Sequence, residues 1–547
     1  MTAIDTHAAS ADTSAPALAS LADWITTTDH KRIGRLYIGA ALIALLGAGV
    51  VGALLAFERI DTATTFLNIG SLTQLFSLYR WGLLYLAAVP LVVGIAVAVV
   101  PMQLGARSIA FPRLAIGGFW IWLFGAVASI VALVGNGGPN GGNARFVDLF
   151  TLAVALSLVG LLASLVSVVT SILTTRAPGM NMRRLPAYSW SVLVMGLCAV
   201  LALPVLVGLL LYVYIAHKYP SISDLSGNHA LGQWVGFGFT HPTTVLFTIP
   251  IFGFAADAVS TAAKRRLRPR GVVLATIGII GIAVVGTSVQ IPVIIRSAFG
   301  SLSANNKVAD LVPFLFVHGL PVLGAFLTVA LVLQALSSKP KPTAPMVGGV
   351  LAALLALLAV AAGALLNIGD AGLTGTVFEE GTFLLSIGAV VVFAIAAITQ
   401  WLPKWTGRSV PVLPAIGLSV LAFLGSVLAA APLLVAGFAD QPGGIFPAIE
   451  PGVDGVVKFS YSGPAGLWNA LAGIGLVLVV LSALAFSLLA LRSATKGATA
   501  GDDPWDGQTL EWATTSPAPA HNFASVPVVT SAEPLLDLKS ANTRSDA

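Results

Sequence analysis

The chain is 547 residues long, 57% hydrophobic and only 9% charged, with a mean hydropathy of +0.92, a balance that excludes a soluble globular domain. Its apolar runs reach about 20 residues, enough to cross a roughly 30 Å hydrocarbon core, and they are continuous rather than alternating, which argues against a membrane β-barrel. The net charge of +5 sorts by loop instead of forming one basic face, so nucleic acid is not an expected partner.

Residues 1–24 are polar and rich in Ala, Ser and Thr, without the charged and apolar regions of a signal peptide. The hydropathy pattern then predicts twelve spans, roughly 33–57, 75–101, 114–135, 147–174, 188–215, 236–262, 271–295, 311–336, 344–366, 377–402, 412–438 and 466–491. The tail after Arg492 is Pro-, Ser- and Ala-rich and reads as extended on the membrane surface or disordered. This divides the chain into an N-terminal segment (1–32), a twelve-helix transmembrane domain (33–491) and a C-terminal tail (492–547), an all-α integral membrane fold. Of the 28 Lys and Arg, nineteen fall in loops on the side of both termini and six on the opposite side; Arg80 lies within a span, and Lys539 and Arg544 lie in the tail. That bias predicts a multi-pass protein of the cell membrane with both termini cytoplasmic. The single cysteine, Cys198, lies in an apolar run and reads as a small core side chain.

The motifs are more specific than the hydropathy. WITTTDHKRIG (24–34) leads into the first span, and QLFSL (74–78), VPMQLGA (100–106), AFPRL (110–114) and RAPGM (176–180) follow. LPKWTGR (402–408) and the tail DPWDGQTLEWATTSP (503–517) complete the set. Together they make nearly the whole chain resemble subunit I of the haem–copper (cytochrome c-type) oxidases. The resemblance implies a twelve-helix bundle, and, for the family, two haems and a copper ion held by six histidines, since neutral imidazole suits both haem iron and copper.

The histidine census departs from that implication. The chain has seven histidines: His7, His30 and His521 lie in the terminal segments, His217 and His229 in the loop between spans five and six, and only His241 and His318 at membrane depth. Placed without gaps, the family's HisProGluValTyr element falls on HPTTV (241–245), so His241 is the sole retained copper-ligand position and Thr243 and Val245 stand where the glutamate and tyrosine would be. The adjacent His-His pair, placed from GVVLAT (271–276), falls on Val289 and Gln290. The haem-ligand positions fall on Tyr79 in span two and on Gly381 and Phe383 in span ten. The Arg-Arg pair that meets haem propionates falls on Gly443 and Gly444, and the lysine of span eight falls near Ala325. On this reading no haem or copper is expected. His241 reads as a structural remnant, with a lone metal contact or a new role as alternatives, and His318 as a hydrogen-bonded structural histidine rather than part of a new polar site.

Arg80 follows Tyr79 inside span two, and Glu379 and Glu380 precede Phe383 by three to four residues. An unpaired charge at bilayer depth costs on the order of 3 kcal/mol, so Arg80 is expected to pair with Glu380 or Glu379 and to close the space a haem would fill. Asp257, before the basic run KRRLRPR (264–270), reads as half of a surface ion pair, and Trp24, Trp401 and Trp405 read as interface anchors. Three functions remain open. The first is a redox-inactive, cytochrome c oxidase subunit I-like pseudoenzyme, a structural or accessory member of a respiratory membrane complex whose partners are other membrane subunits (subunit II/III-like) and lipid. The second is a proton or solute pathway through repurposed haem cavities. The third, which whole-chain resemblance implies, is a terminal oxidase large subunit that oxidises cytochrome c, reduces O2 and pumps protons; fold alone does not confer that chemistry.

Overall fold

A computed structural model describes residues 22–60, 67, 69–219, 238, 243–288, 307–368, 371–444, 464–525 and 528–545. Helices in chain order are α1 (His30–Glu58), α2 (Ile69–Trp81 continuing through Gly82–Ala88 and Val89–Gln103), α3 (Pro112–Val134), α4 (Ala144–Thr174), α5 (Ala187–Lys218) and α6 (Ile249–Ala263). There follow α7 (Arg270–Ile280, Ile282–Ser288), α8 (Lys307–Phe314, Leu315–Gly319, Leu320–Ala335), α9 (Ala344–Leu366), α10 (Phe378–Thr406), α11 (Val412–Phe438), α12 (Ala465–Lys496) and a tail helix α13 (Pro534–Ser545). Among the described residues eleven helices are long and apolar enough to cross a membrane. The predicted seventh span, 271–295, is present as α7 as far as its described residues run. The only sheet among the described residues is a Gly-Gly hairpin, Gly137–Gly138 on Gly141–Gly142.

The apolar run sets each span, and a few polar or special residues set its ends. Asp29 caps α1 by accepting from the Lys31 N–H at 3.0 Å, and Asn143 caps α4 by accepting from Arg145 at 3.1 Å. Gly407, in the left-handed conformation at φ 73°, ends α10. Two spans contain π-helical turns, Gly82–Ala88 in α2 and Leu315–Gly319 in α8. Each lies just upstream of a proline, Pro90 and Pro321, whose missing N–H and ring clash with the preceding turn favour the wider spacing.

Successive helices pack as antiparallel neighbours, and α12 closes the ring against α1. The most apolar windows of α2 and α10 are wholly buried, whereas only 33% of that of α12 is. These two helices therefore form the centre, with the others around them. Outer helices turn apolar side chains outward, as with Val134 and Leu413 at 81% and 80% exposure, the surface expected against lipid tails. Close approach between helices rests on small residues: a Cβ added at Gly160 of α4 would stand 2.3 Å from the Trp122 nitrogen of α3.

The tail differs from its reading as extended or disordered. Residues after Lys496 lie across the end of the bundle that carries both termini, tied by two buried lysines. Lys404 Nζ donates to the carbonyls of Asp502 at 2.7 Å and Thr514 at 2.6 Å and sits 5.2 Å from the Trp512 ring centroid. Lys31 Nζ donates to the Pro519 carbonyl at 2.9 Å and to Asn522 Oδ1 at 3.1 Å. A buried ammonium demands acceptors, and the tail carbonyls supply them.

Candidate functional site

The end of the bundle opposite the termini gathers buried charge. Glu58 and Arg59 close α1, Tyr79 and Arg80 sit on α2 just before its π turn, and Glu379 and Glu380 open α10, where the helix dipole favours carboxylates. Glu380 Oε2 lies 2.7 Å from Arg59 Nη2, both side chains below a tenth exposed; the contact is an ion pair whose angle falls outside hydrogen-bond geometry. Tyr79 Oη donates to the other carboxylate oxygen at 3.2 Å. Backbone and amide groups extend this network: Gln441 Nε2 donates to Asn469 Oδ1 at 3.2 Å, and Asn469 Nδ2 donates to the Arg59 carbonyl at 3.2 Å. Helices α1, α2, α10 and α12 thus meet at one polar knot.

The cation of that pair is Arg59, not Arg80 as the sequence suggested. Arg80 instead places its guanidinium 4.4 Å from the Phe383 ring centroid, a cation–π contact. The physical reason is reach: Tyr79 occupies one face of Glu380, and the end of α1 brings Arg59 to the other. Glu379 turns away and accepts from the Gly375 N–H at 2.9 Å. Arg59 is hidden in the sequence because it falls at the loop end of an apolar run. The signal was its neighbour Glu58, a second charge at the end of the same apolar run.

The positions that the resemblance gives to haem ligands are packed against protein. A haem gripped from α2 and α10 needs a slot between its two axial side chains. Tyr79 and Phe383 meet edge to face with 6.2 Å between ring centroids at 76°, which leaves no room for a planar macrocycle between them, and a phenyl ring has no lone pair for iron. At Gly381 an added Cβ would stand 3.0 Å from the Ala430 carbonyl and 2.9 Å from Leu434, so an imidazole there would have to push α11 away. At Gly443 it would stand 3.0 Å from the Thr376 carbonyl, on the chain entering α10. Ala325 is buried in α8. His241, Val289 and Gln290 lie outside the described residues, as do His7 and His229. Among the described residues no three His, Cys, Asp or Glu side chains gather as a metal-holding group.

Other side chains fall differently from expectation. Asp257 is no surface ion pair: its two oxygens accept from the Ala187 and Tyr188 N–H groups at 3.0 and 2.9 Å, capping the first turn of α5. Trp401 and Trp405 are 1% and 6% exposed, buried rather than anchored in an interface, and Trp401 donates to Glu511 of the tail. Trp24 sits under Arg35, 4.9 Å from its ring centroid. His318 lies in the π turn of α8 with its ring 5.4 Å from that of Phe314. Cys198 is buried, its Sγ donating to the Gly281 carbonyl at 3.5 Å. At the tail end, Glu511 Oε1 accepts from Gln103 Nε2 at 3.0 Å and Trp401 Nε1 at 3.4 Å. Burial pushes its carboxyl above the ordinary range.

A polytopic helical bundle with two central helices and a docked C-terminal tail defines the class: a multi-pass membrane protein. Residues 32–462 match the family described as Cytochrome C and Quinol oxidase polypeptide I, and the chain belongs to that family. It is 26% identical over 549 residues to cytochrome c oxidase subunit 1 of Bacillus subtilis, covering 96% of this chain and 84% of that one. It is 28% identical over 544 residues to a putative cytochrome c oxidase subunit 1-beta of Streptomyces coelicolor, covering 95% and 91%. Its fold matches a chain of a heme-copper terminal oxidase dimer solved by cryo-electron microscopy, with a TM-score of 0.63 and 16% identity over 93% of this chain and 89% of that one.

Proposed function

We propose that this family member is redox-inactive and serves as a structural or accessory subunit of a respiratory membrane complex, in contact with further membrane subunits and with both termini cytoplasmic. The single observation that carries the reading is the direct packing of Tyr79 on Phe383, with Tyr79 committed to Glu380. The residues present at those positions do not fit a haem between α2 and α10. The close packing at Gly381 supports the same reading for the second ligand position. What the chain keeps is the scaffold and the tail lock, features of packing and assembly. The division into a terminal segment, a twelve-helix domain and a tail belongs to this reading, with the tail acting as part of the folded unit.

The alternative of a pathway through repurposed haem space draws on the buried Glu58, Arg59 and Glu380. It requires polar groups continuing along α10, yet Thr382 donates to Phe378 and Ser386 to Thr382 within their own helix, and the next polar side chain on that helix is Thr399. The structural role is the better supported.

The test is a reduced-minus-oxidised visible spectrum of the purified full-length protein, with metal analysis on the same sample. A featureless spectrum without stoichiometric iron or copper is the expected result. A haem band with stoichiometric iron would overturn the proposal and return the protein to the oxidases.

A further inference from the structure

A basic groove lies at the end that carries the termini, between the C-terminal ends of α6 and α8. It has a volume of about 490 Å³ and is lined by the cations Lys264, Arg265, Arg266 and Arg268 and by the apolar Leu267 and Leu536. Both bounding helices are spans, so their ends mark the boundary of the hydrocarbon layer, and the groove opens where lipid headgroups lie.

Charge bookkeeping separates this groove from an ordinary basic loop. Lys264 pairs with Asp506 at 2.7 Å, and Arg266 pairs with Asp537 of α13. Tail carboxylates therefore take two of the four cations. Among the described residues, Arg265 and Arg268 have no carboxylate within ion-pair distance, and both are exposed. Gln334 at the end of α8 and Ser337 just after it add uncharged donors to the lining. Two guanidinium groups without carboxylate partners, each a planar fork suited to phosphate oxygens, thus line one groove with Leu267 and Leu536 at headgroup level.

We infer that this groove is a binding site for the phosphate of an anionic glycerophospholipid, with Arg265 and Arg268 on the headgroup and the acyl chains leaving past Leu267 toward the bilayer. The apolar lining is what selects a lipid over a free phosphate ion, because an ion gains nothing from apolar surface. The tail helix contributes a wall through Leu536, so site and tail docking are built from the same elements.

The experiment uses the full-length protein purified in a mild detergent, with native mass spectrometry reading one-to-one adducts as defined lipids are titrated. Phosphatidylglycerol is expected to bind as a discrete first adduct, and phosphatidylcholine more weakly. Arg265→Gln/Arg268→Gln is expected to weaken that adduct about 25-fold, two cations at about fivefold each. Arg113→Gln, an exposed arginine on the same side but outside the groove, is expected to leave it unchanged. Retention of the adduct by the double variant would overturn the proposal. Equal binding of phosphatidylcholine would overturn it as well, and displacement of the lipid by millimolar inorganic phosphate would reassign the groove to a free anion.

Discussion

Removing Arg59 is the sharpest perturbation of the polar knot. Its guanidinium and the Glu380 carboxylate are 5% and 8% exposed and 2.7 Å apart. Unit charges about 4 Å apart attract by about 4 kcal/mol at an effective dielectric near 20, and breaking a buried pair by deleting one partner costs about 3–5 kcal/mol because a charge is stranded. Tyr79 still donates to Glu380 at 3.2 Å, which limits the loss, so Arg59→Leu should destabilise by about 3 kcal/mol, the lower end of that range. Replacing both partners removes the stranded charge, so Arg59→Leu/Glu380→Leu should recover much of that loss. The assay is unfolding in mixed micelles over an SDS titration, run as a double-mutant cycle with Arg80→Leu as a second arm. Coupling of Arg59 to Glu380 should approach about 2 kcal/mol and exceed that of Arg80 to Glu380. The reasoning fails if Arg59→Leu lies within about 1 kcal/mol of the parent, or if Arg80 couples to Glu380 more strongly than Arg59 does.

Gly52 lies against the Tyr79 ring, where an added Cβ would stand 2.4 Å from Cε2. Because Glu380 and Phe383 hold that ring, Gly52→Ala should cost about 1–3 kcal/mol in the same titration, and an unchanged midpoint would show the ring free to move. Lys404→Met leaves the Asp502 and Thr514 carbonyls without their donor; it should weaken tail docking by about 2–3 kcal/mol and expose residues 497–525 to limited proteolysis. Protection equal to the parent would show that the tail docks without Lys404. Burial raises the Glu511 carboxyl above its ordinary 4.5, so the folded state holds this proton more tightly than the unfolded one. Its contribution to docking is therefore fully present below about pH 4.5 and is lost as the pH rises through the raised value. Tail protection measured by protease between pH 5 and 9 should fall with rising pH, and Glu511→Gln should flatten the curve; an identical slope in the variant would remove Glu511 from the account.

The spans were legible because apolar length is a direct requirement of the bilayer, and the π turns are legible in retrospect from Pro90 and Pro321. The content of the site was legible only in part. Tyr79, Arg80, Glu380 and Phe383 do come together, since α2 and α10 are neighbours at the centre. The choice of cation was not, because reach from the end of α1 depends on where that helix stops relative to α10, and sequence boundaries are uncertain by several residues. Asp257 misled for a related reason: the nearby basic run suggested a charge partner, whereas the unsatisfied N–H groups at the start of α5 were closer. Trp401 looked like an interface residue because nothing in a hydropathy profile reveals that a polar tail folds back to meet it.

That fold-back has a temporal meaning for biosynthesis. His30, at the first turn of the first span, completes its hydrogen bonding through Asn522 at 3.0 Å, and Lys31 through the Pro519 carbonyl, partners made some 490 residues later. Throughout insertion of all twelve helices these groups, and Lys404 with them, wait without their final acceptors. A chain interrupted after α12 would keep Lys31 on Asp29 and His30 on the Val97 carbonyl, but it would leave the buried Lys404 ammonium without the Asp502 and Thr514 carbonyls that accept from it.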